Sequence, residues 1–122
     1  MASCGARLAL FARREEPLEE TAEMIRSAGG EAFVVPGDTR DEDSIETAMG
    51  RIKDHYGQLD VLVNNAGGNR RGEFADTTDQ DWDDILNLDL TAHIRVSRAV
   101  IPGMKKQGSG KIIFNTSFPP YV

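Results

Sequence analysis

The strongest constraint in this sequence is an alternation: short, almost wholly apolar runs take turns with longer stretches whose apolar residues recur at helical spacing. Ala6–Ala12 (ARLALFA) reads as a buried strand. In the next stretch, Glu16–Ala28, residues Leu18, Ala22 and Ile25 fall at i, i+4 and i+7 and share one helical face. Gly29-Gly30 supplies a left-handed stop. Ala32–Val35 (AFVV) is a second strand, closed by Pro36-Gly37. Asp41 or Asp43 can cap a second helix, whose stripe is Ile45, Ala48, Met49, Ile52 and Tyr56 and whose stop is Gly57. Leu59–Val63 (LDVLV) is a third strand, leading into the loop Asn64–Gly72. Thr78-x-x-Asp81 has the form of a capping box, with Asp in place of the usual Glu. It opens a long helix with its stripe at Trp82, Ile85, Leu86, Ala92, Val96, Ala99 and Val100, which Pro102 should kink or end. After the turn Gly108-Ser109-Gly110, Lys111–Asn115 (KIIFN) is a fourth strand.

Strands alternating with helices in this way predict an α/β chain with a parallel sheet. Strands this apolar should be covered on both faces. A chain of 122 residues suits one domain, here residues 1–122, and 39% hydrophobic residues suffice for a core. The same periodicity would be shown by an α/β domain that carries no site.

Charge narrows the partners. The formal net charge is -6, with acidic residues gathered at Glu15–Glu23, Asp38–Glu46 and Asp76–Asp84. Such faces repel phosphate, which argues against nucleic acid and anionic membranes as partners. No apolar run approaches the roughly 20 residues of a membrane span, and the first ten residues lack the form of a secretory signal. Cys4 is alone, so no internal disulfide forms, which fits the cytoplasm. His55 and His93 have no metal-ligating partner four residues on, and both read as surface or satisfied residues; no metal site is expected.

Ligands of open α/β sheets bind beyond the carboxyl ends of the strands. The residues following each strand are therefore the candidates. Arg13 follows the first and could pair bidentately with a phosphate; a solvated charge opening a helix is the plainer reading. Asp38 and Thr39 follow the second. Asp38 could accept from an adenine amino group, or serve as a turn residue or cap. Asn64, Asn65, Ala66 and Gly67 follow the third, and the small Ala and Gly permit close backbone approach; an ordinary turn would look the same. Ser117, just past the fourth, offers a hydroxyl, though a lone serine there is usually structural. Asp89 stands on the apolar stripe of the long helix. There its carboxylate must be paired or hydrogen-bonded if buried, unless the helix is rotated so that it meets water.

The blocks Leu59–Gly68 (LDVLVNNAGG), Pro36–Glu46 (PGDTRDEDSIE), Asp81–Ala92 (DWDDILNLDLTA) and Gly108–Ser117 (GSGKIIFNTS), in this order, resemble the short-chain dehydrogenase/reductase family. The resemblance runs from Gly5 to Ser117. It implies a partial Rossmann-like, doubly wound parallel sheet, and hydride transfer between a nicotinamide cofactor and a small-molecule carbonyl or alcohol. Gly5–Ala12 matches the family's second strand. That strand usually ends in an acid that grips the ribose of NAD; here it ends in Ala12 followed by Arg13, which implies a 2′-phosphate and hence NADP rather than NAD. Asp38 and Thr39 match the pair beside the adenine, and Asn64–Gly67 the loop along the cofactor. Ser117 matches the serine that polarises the carbonyl. Asp89 stands where the family has the Asn that holds a relay water. The family also forms dimers or tetramers through its long helices, so a homo-oligomer is implied.

Two family motifs have no counterpart in these residues. One is the first strand with its glycine-rich phosphate loop; Met1–Cys4 matches only the tail of the helix that follows it. The other is Tyr-x-x-x-Lys, the general acid; Tyr121 stands too close to Ser117 and has no Lys partner. The resemblance therefore implies a fragment, inactive by itself and marginally stable, because the absent first strand separates the first and third strands in the family's sheet order 3-2-1-4-5. A non-catalytic remnant, or a nucleotide-binding or interaction module, is the alternative.

Overall fold

The computed structural model describes residues 1–68 and 73–116. In chain order the elements are β1 (Arg7–Ala12), α1 (Glu15–Ser27), β2 (Glu31–Pro36), α2 (Glu42–Tyr56), β3 (Val61–Asn64), α3 (Asp79–Leu86), a π-helical turn (Asn87–Thr91), α4 (Ala92–Gln107) and β4 (Lys111–Phe114). The α/β class is as expected. The strands pair in parallel as β1–β2 and β3–β4, in two two-stranded sheets. The chain forms two compact units, Met1–Gln58 and Leu59–Val122.

In the first unit β1 and β2 run in register from Arg7 opposite Glu31 to Ala12 opposite Pro36. Side chains alternate across a strand. Ala32 and Val34 therefore share one face and pack with Ala22, Leu10, Leu18 and Ile25. Phe33 points the other way, stacked on His55 of α2 with ring centroids 4.0 Å apart. So α1 and α2 cover opposite faces. Tyr56 donates from its hydroxyl to the Leu8 carbonyl at 3.1 Å, with the Arg7 guanidinium over its ring. Burial and the neighbouring Glu31 carboxylate push the Tyr56 phenol up. The helix ends obey local chemistry. Gly29 (φ 83°) turns the chain out of α1, and the Gly30 N–H closes on the Ile25 carbonyl at 2.9 Å. Of the two candidate caps for α2 it is Asp41 that accepts from the Ser44 N–H, and Gly57 (φ 82°) ends the helix.

In the second unit α4 packs on the face of the β3–β4 sheet that carries Asn64, whose Nδ2 donates to Ser97 Oγ at 3.0 Å. Val63 and its register partner Ile113 stand on the other face and are exposed. The expectation of cover on both faces thus fails here, because α4 lies on one side only. The capping box at Thr78 forms in both directions. The helix it opens is not one continuous α-helix as expected. The Ala92 N–H bonds the Asn87 carbonyl, five residues back, which makes one π turn. The stripe is broken accordingly: Ala92, Val96 and Val100 are buried, whereas Trp82, Leu86 and Ala99 are exposed. Pro102 does not end the helix. It removes the N–H that would reach Arg98, but residues 101–103 are exposed, where water can serve the freed carbonyl. The stop comes at Gly108 (φ 76°). Beyond it Gly110 lies under Met104, where a Cβ would sit 2.5 Å from the Met104 side chain.

Candidate functional site

The first unit presents the residues that follow β1 and β2. The Gly37 N–H donates to the Ala12 carbonyl at 2.9 Å, which ties the two strand ends together. Gly37 must be small, since a Cβ would lie 2.6 Å from both the Phe11 ring and Ser44 Oγ. The Asp38 N–H donates to Ser44 Oγ at 2.8 Å. Its carboxylate receives Arg40 three times, from the backbone N–H, from Nε at 3.0 Å and from Nη2 at 2.8 Å. The Arg40 hydrogen bond holds the Asp38 carboxyl at about 2, below its ordinary 3.8; partial burial opposes this, and the Arg40 and Arg13 charges add to it. Arg13 itself is exposed, and its guanidinium makes no hydrogen bond or ion pair among the described residues. Thr39 is half-buried.

The second unit presents the loop after β3. Asn64 is buried and held by Ser97. Its carbonyl accepts from the Asn115 N–H at 2.9 Å, and Asn115 Nδ2 donates to Asn65 Oδ1. The next residues are gripped from the helix. Asp89 Oδ1 accepts from the Gly68 N–H at 2.9 Å. His93, one turn on and buried, donates from Nε2 to the Ala66 carbonyl. A carbonyl can only accept, so this bond fixes the Nε2–H tautomer. Gly67 lies between the two grips, with Asp89 Oδ1 3.4 Å from where its Cβ would be. The outer side of Asn65 and Gly67 remains exposed.

This arrangement leaves an exposed guanidinium after β1 and bare, fixed backbone after β3, each at a strand's carboxyl end. The model of the short chain dehydrogenase family matches residues 1–119.

This chain belongs to the short-chain dehydrogenase family.

Among relatives of this chain, an acetoacetyl-CoA reductase of Cupriavidus necator is 37% identical over 83% of the chain and 39% of its own length. Two solved structures are close in shape. Actinorhodin polyketide ketoreductase with NADPH shows 36% identity and a TM-score of 0.88, over 93% of this chain and 44% of that one. A metagenomic short-chain oxidoreductase in complex with NADP shows 34% identity and a TM-score of 0.88, over 97% and 54%. The chain spans less than half the length of the first curated relatives it matches, 44%, 38% and 42%.

Of the expected site residues, Arg13, Asp38 and Thr39 lie in the first unit, and Asn64, Asn65, Ala66, Gly67 and Asp89 in the second. Ser117 and the tail Phe118–Val122 lie outside the described residues, as do residues 69–72 of the loop. Asp89 is exposed rather than buried on the stripe, and its partner is a backbone N–H. Arg40, His93, Ser97 and Asn115 were not singled out as site residues. The signal for Ser97 was a hydroxyl beside Val96 on a buried stripe; for Arg40 it was the close spacing Asp38-x-Arg40. His93 read as a satisfied residue, and its position four residues after Asp89 placed it on the same face.

Proposed function

We propose that these residues form part of an NADP-dependent oxidoreductase, which transfers hydride between NADP(H) and a carbonyl or alcohol. The observation that carries the reading is the backbone of Asn64–Gly68, fixed from behind and open in front at the end of β3. Arg13 in place of an acid after β1 supports a 2′-phosphate and hence NADP over NAD. In this reading both units belong to one dinucleotide-binding domain. Thr39 and Asp38 lie beside the adenine, with the Asp38 carboxylate already engaged by Arg40, so its contribution there is orientation of the turn. Asn64, Asn65, Ala66 and Gly67 line the cofactor, Ser117 polarises the carbonyl, and Asp89 takes the place of the relay Asn. The cofactor supplies the hydride; the chain supplies its seat and its orientation. A polypeptide of these 122 residues alone is expected to show no turnover, since it holds neither the glycine-rich loop nor Tyr-x-x-x-Lys.

The test is a chimaera in which this chain replaces the matching stretch of actinorhodin ketoreductase. It should oxidise NADPH with a ketone or ketoacyl thioester and prefer NADPH to NADH. Arg13→Asp should cut that preference by about tenfold or more, the value of one charge-assisted phosphate contact. A well-folded chimaera that oxidises neither cofactor would sink the enzyme reading and favour a non-catalytic module.

Cytoplasmic location and self-association belong to the same reading. No helix among the described residues is long and apolar enough to cross a membrane. Trp82, Leu86, Leu90 and Ile94 are exposed at four-residue spacing, an apolar stripe suited to a second copy. Leu90→Glu should lower the sedimentation mass of the chimaera without lowering its melting temperature; an unchanged mass would remove this stripe from the interface.

A further inference from the structure

The grip on the Asn64–Gly68 loop comes from two side chains of opposite role. Asp89 takes an N–H, whereas His93 supplies a donor to a C=O. They stand one turn apart, Asp89 within the π turn and His93 at the start of α4. The carbonyl that His93 serves belongs to Ala66, the central residue of the stretch proposed to lie along the cofactor. His93 is buried, with its ring 6.2 Å from that of Phe114 on β4. Packing therefore restricts the imidazole, and its Nε2 is held on the loop.

We propose that His93 is a positioning residue: its Nε2–H fixes the Ala66 peptide and thereby the Gly67–Gly68 backbone that meets the cofactor. The proposal rests on the cofactor reading of that loop. A buried imidazole is suited to this task. It is rigid, it reaches a carbonyl across a helix–loop gap, and in its neutral form one nitrogen always donates. Asp89 cannot substitute for it, because an ionised carboxylate only accepts. Without His93 the loop would keep its tie through Gly68 and lose its tie through Ala66, so Gly67 would pivot between one fixed end and one free one.

Two variants separate position from bulk. His93→Phe keeps a ring and removes the donor; His93→Gln keeps a donor at similar reach. In the chimaera, hydrogen exchange at Gly68, whose N–H is held by Asp89, should rise about tenfold in His93→Phe, as the loop loses one hydrogen bond's restraint. It should return towards the parent rate in His93→Gln, with Val96 and Val100 amides unchanged in both. In the chimaera, His93→Phe should raise KM for NADPH about tenfold with kcat nearly constant, and His93→Gln should recover it. Unchanged exchange at Gly68 overturns the positioning role. Faster exchange with an unchanged KM shows that the loop is held but does not seat the cofactor, which overturns the functional half. A chimaera without NADPH activity fails the cofactor reading itself, and the functional half falls with it, while the exchange rates still decide whether His93 holds the loop.

Discussion

Gly37 and Asp38 show how much a single position can decide. Gly37 is pinned between Phe11 and Ser44 with no room for a methyl group. Gly37→Ala should destabilise the chain by about 1–3 kcal/mol through overpacking, read as a lower denaturation midpoint; an unchanged midpoint would mean that the turn yields freely. Asp38 carries the pH dependence. Its folded value, about 2, lies below the ordinary 3.8. Its contribution is therefore complete above pH 3.8 and is lost as pH falls through about 2. Because the pair is part-exposed, that contribution is on the order of 1 kcal/mol. Arg40→Gln should move the Asp38 titration, followed by carboxyl carbon-13 shifts, up towards the ordinary value. A titration that stays near 2 would remove Arg40 as the main cause.

At the scale of elements, helix ends were the most legible part of the sequence, because caps act within one turn of the chain. Asp41, the Thr78–Asp81 box and the stops at Gly29 and Gly57 all behave as their residue types dictate; the stop at Gly108, read as a turn after a helix kinked or ended by Pro102, was not foreseen. Strand positions were legible to within two residues, since an apolar run bounded by glycine or proline leaves little choice. The interior of the third helical stretch was not legible. A π turn shifts the phase of a stripe without a marker residue, so a stripe read at constant period meets the core only beyond the turn, at Ala92, Val96 and Val100, while Trp82 and Leu86 before it are exposed. Pro102 misled for a related reason: proline's cost depends on whether water reaches the freed carbonyl, which sequence does not state. Replacing it tests this. Pro102→Ala restores a helical N–H and should stabilise the chain by about 1–3 kcal/mol, at most what an interior proline costs, measured by urea unfolding. A loss of stability would mean that the proline ring packs to advantage.

Over the whole molecule, the order of elements and the family were legible from four motif blocks, and the site only in part. Residues with strand-end positions, such as Arg13 and Asn65, could be placed because topology puts them there. Partners from distant sequence could not: Asn64 with Ser97, Asn65 with Asn115 and Ala66 with His93 are separated by 27 to 50 positions, and nothing local announces them. The pairing of strands as two sheets, β1–β2 and β3–β4, leaves each sheet at two strands. Two-stranded sheets have little stability of their own, which keeps a broad, weakly cooperative melt as the expected behaviour of these residues alone.

Everything proposed for this chain depends on its strand-end residues seating a nicotinamide cofactor. The most direct measurement is an amide-shift titration of the chimaera, labelled at glycine and arginine, with NADPH. If the strand ends seat the cofactor, Gly67, Gly68 and Arg13 move together along one binding curve, with Gly29, Gly57 and Gly108 at rest. Saturable binding that leaves Gly67, Gly68 and Arg13 unmoved would place the cofactor elsewhere and contradict that seating.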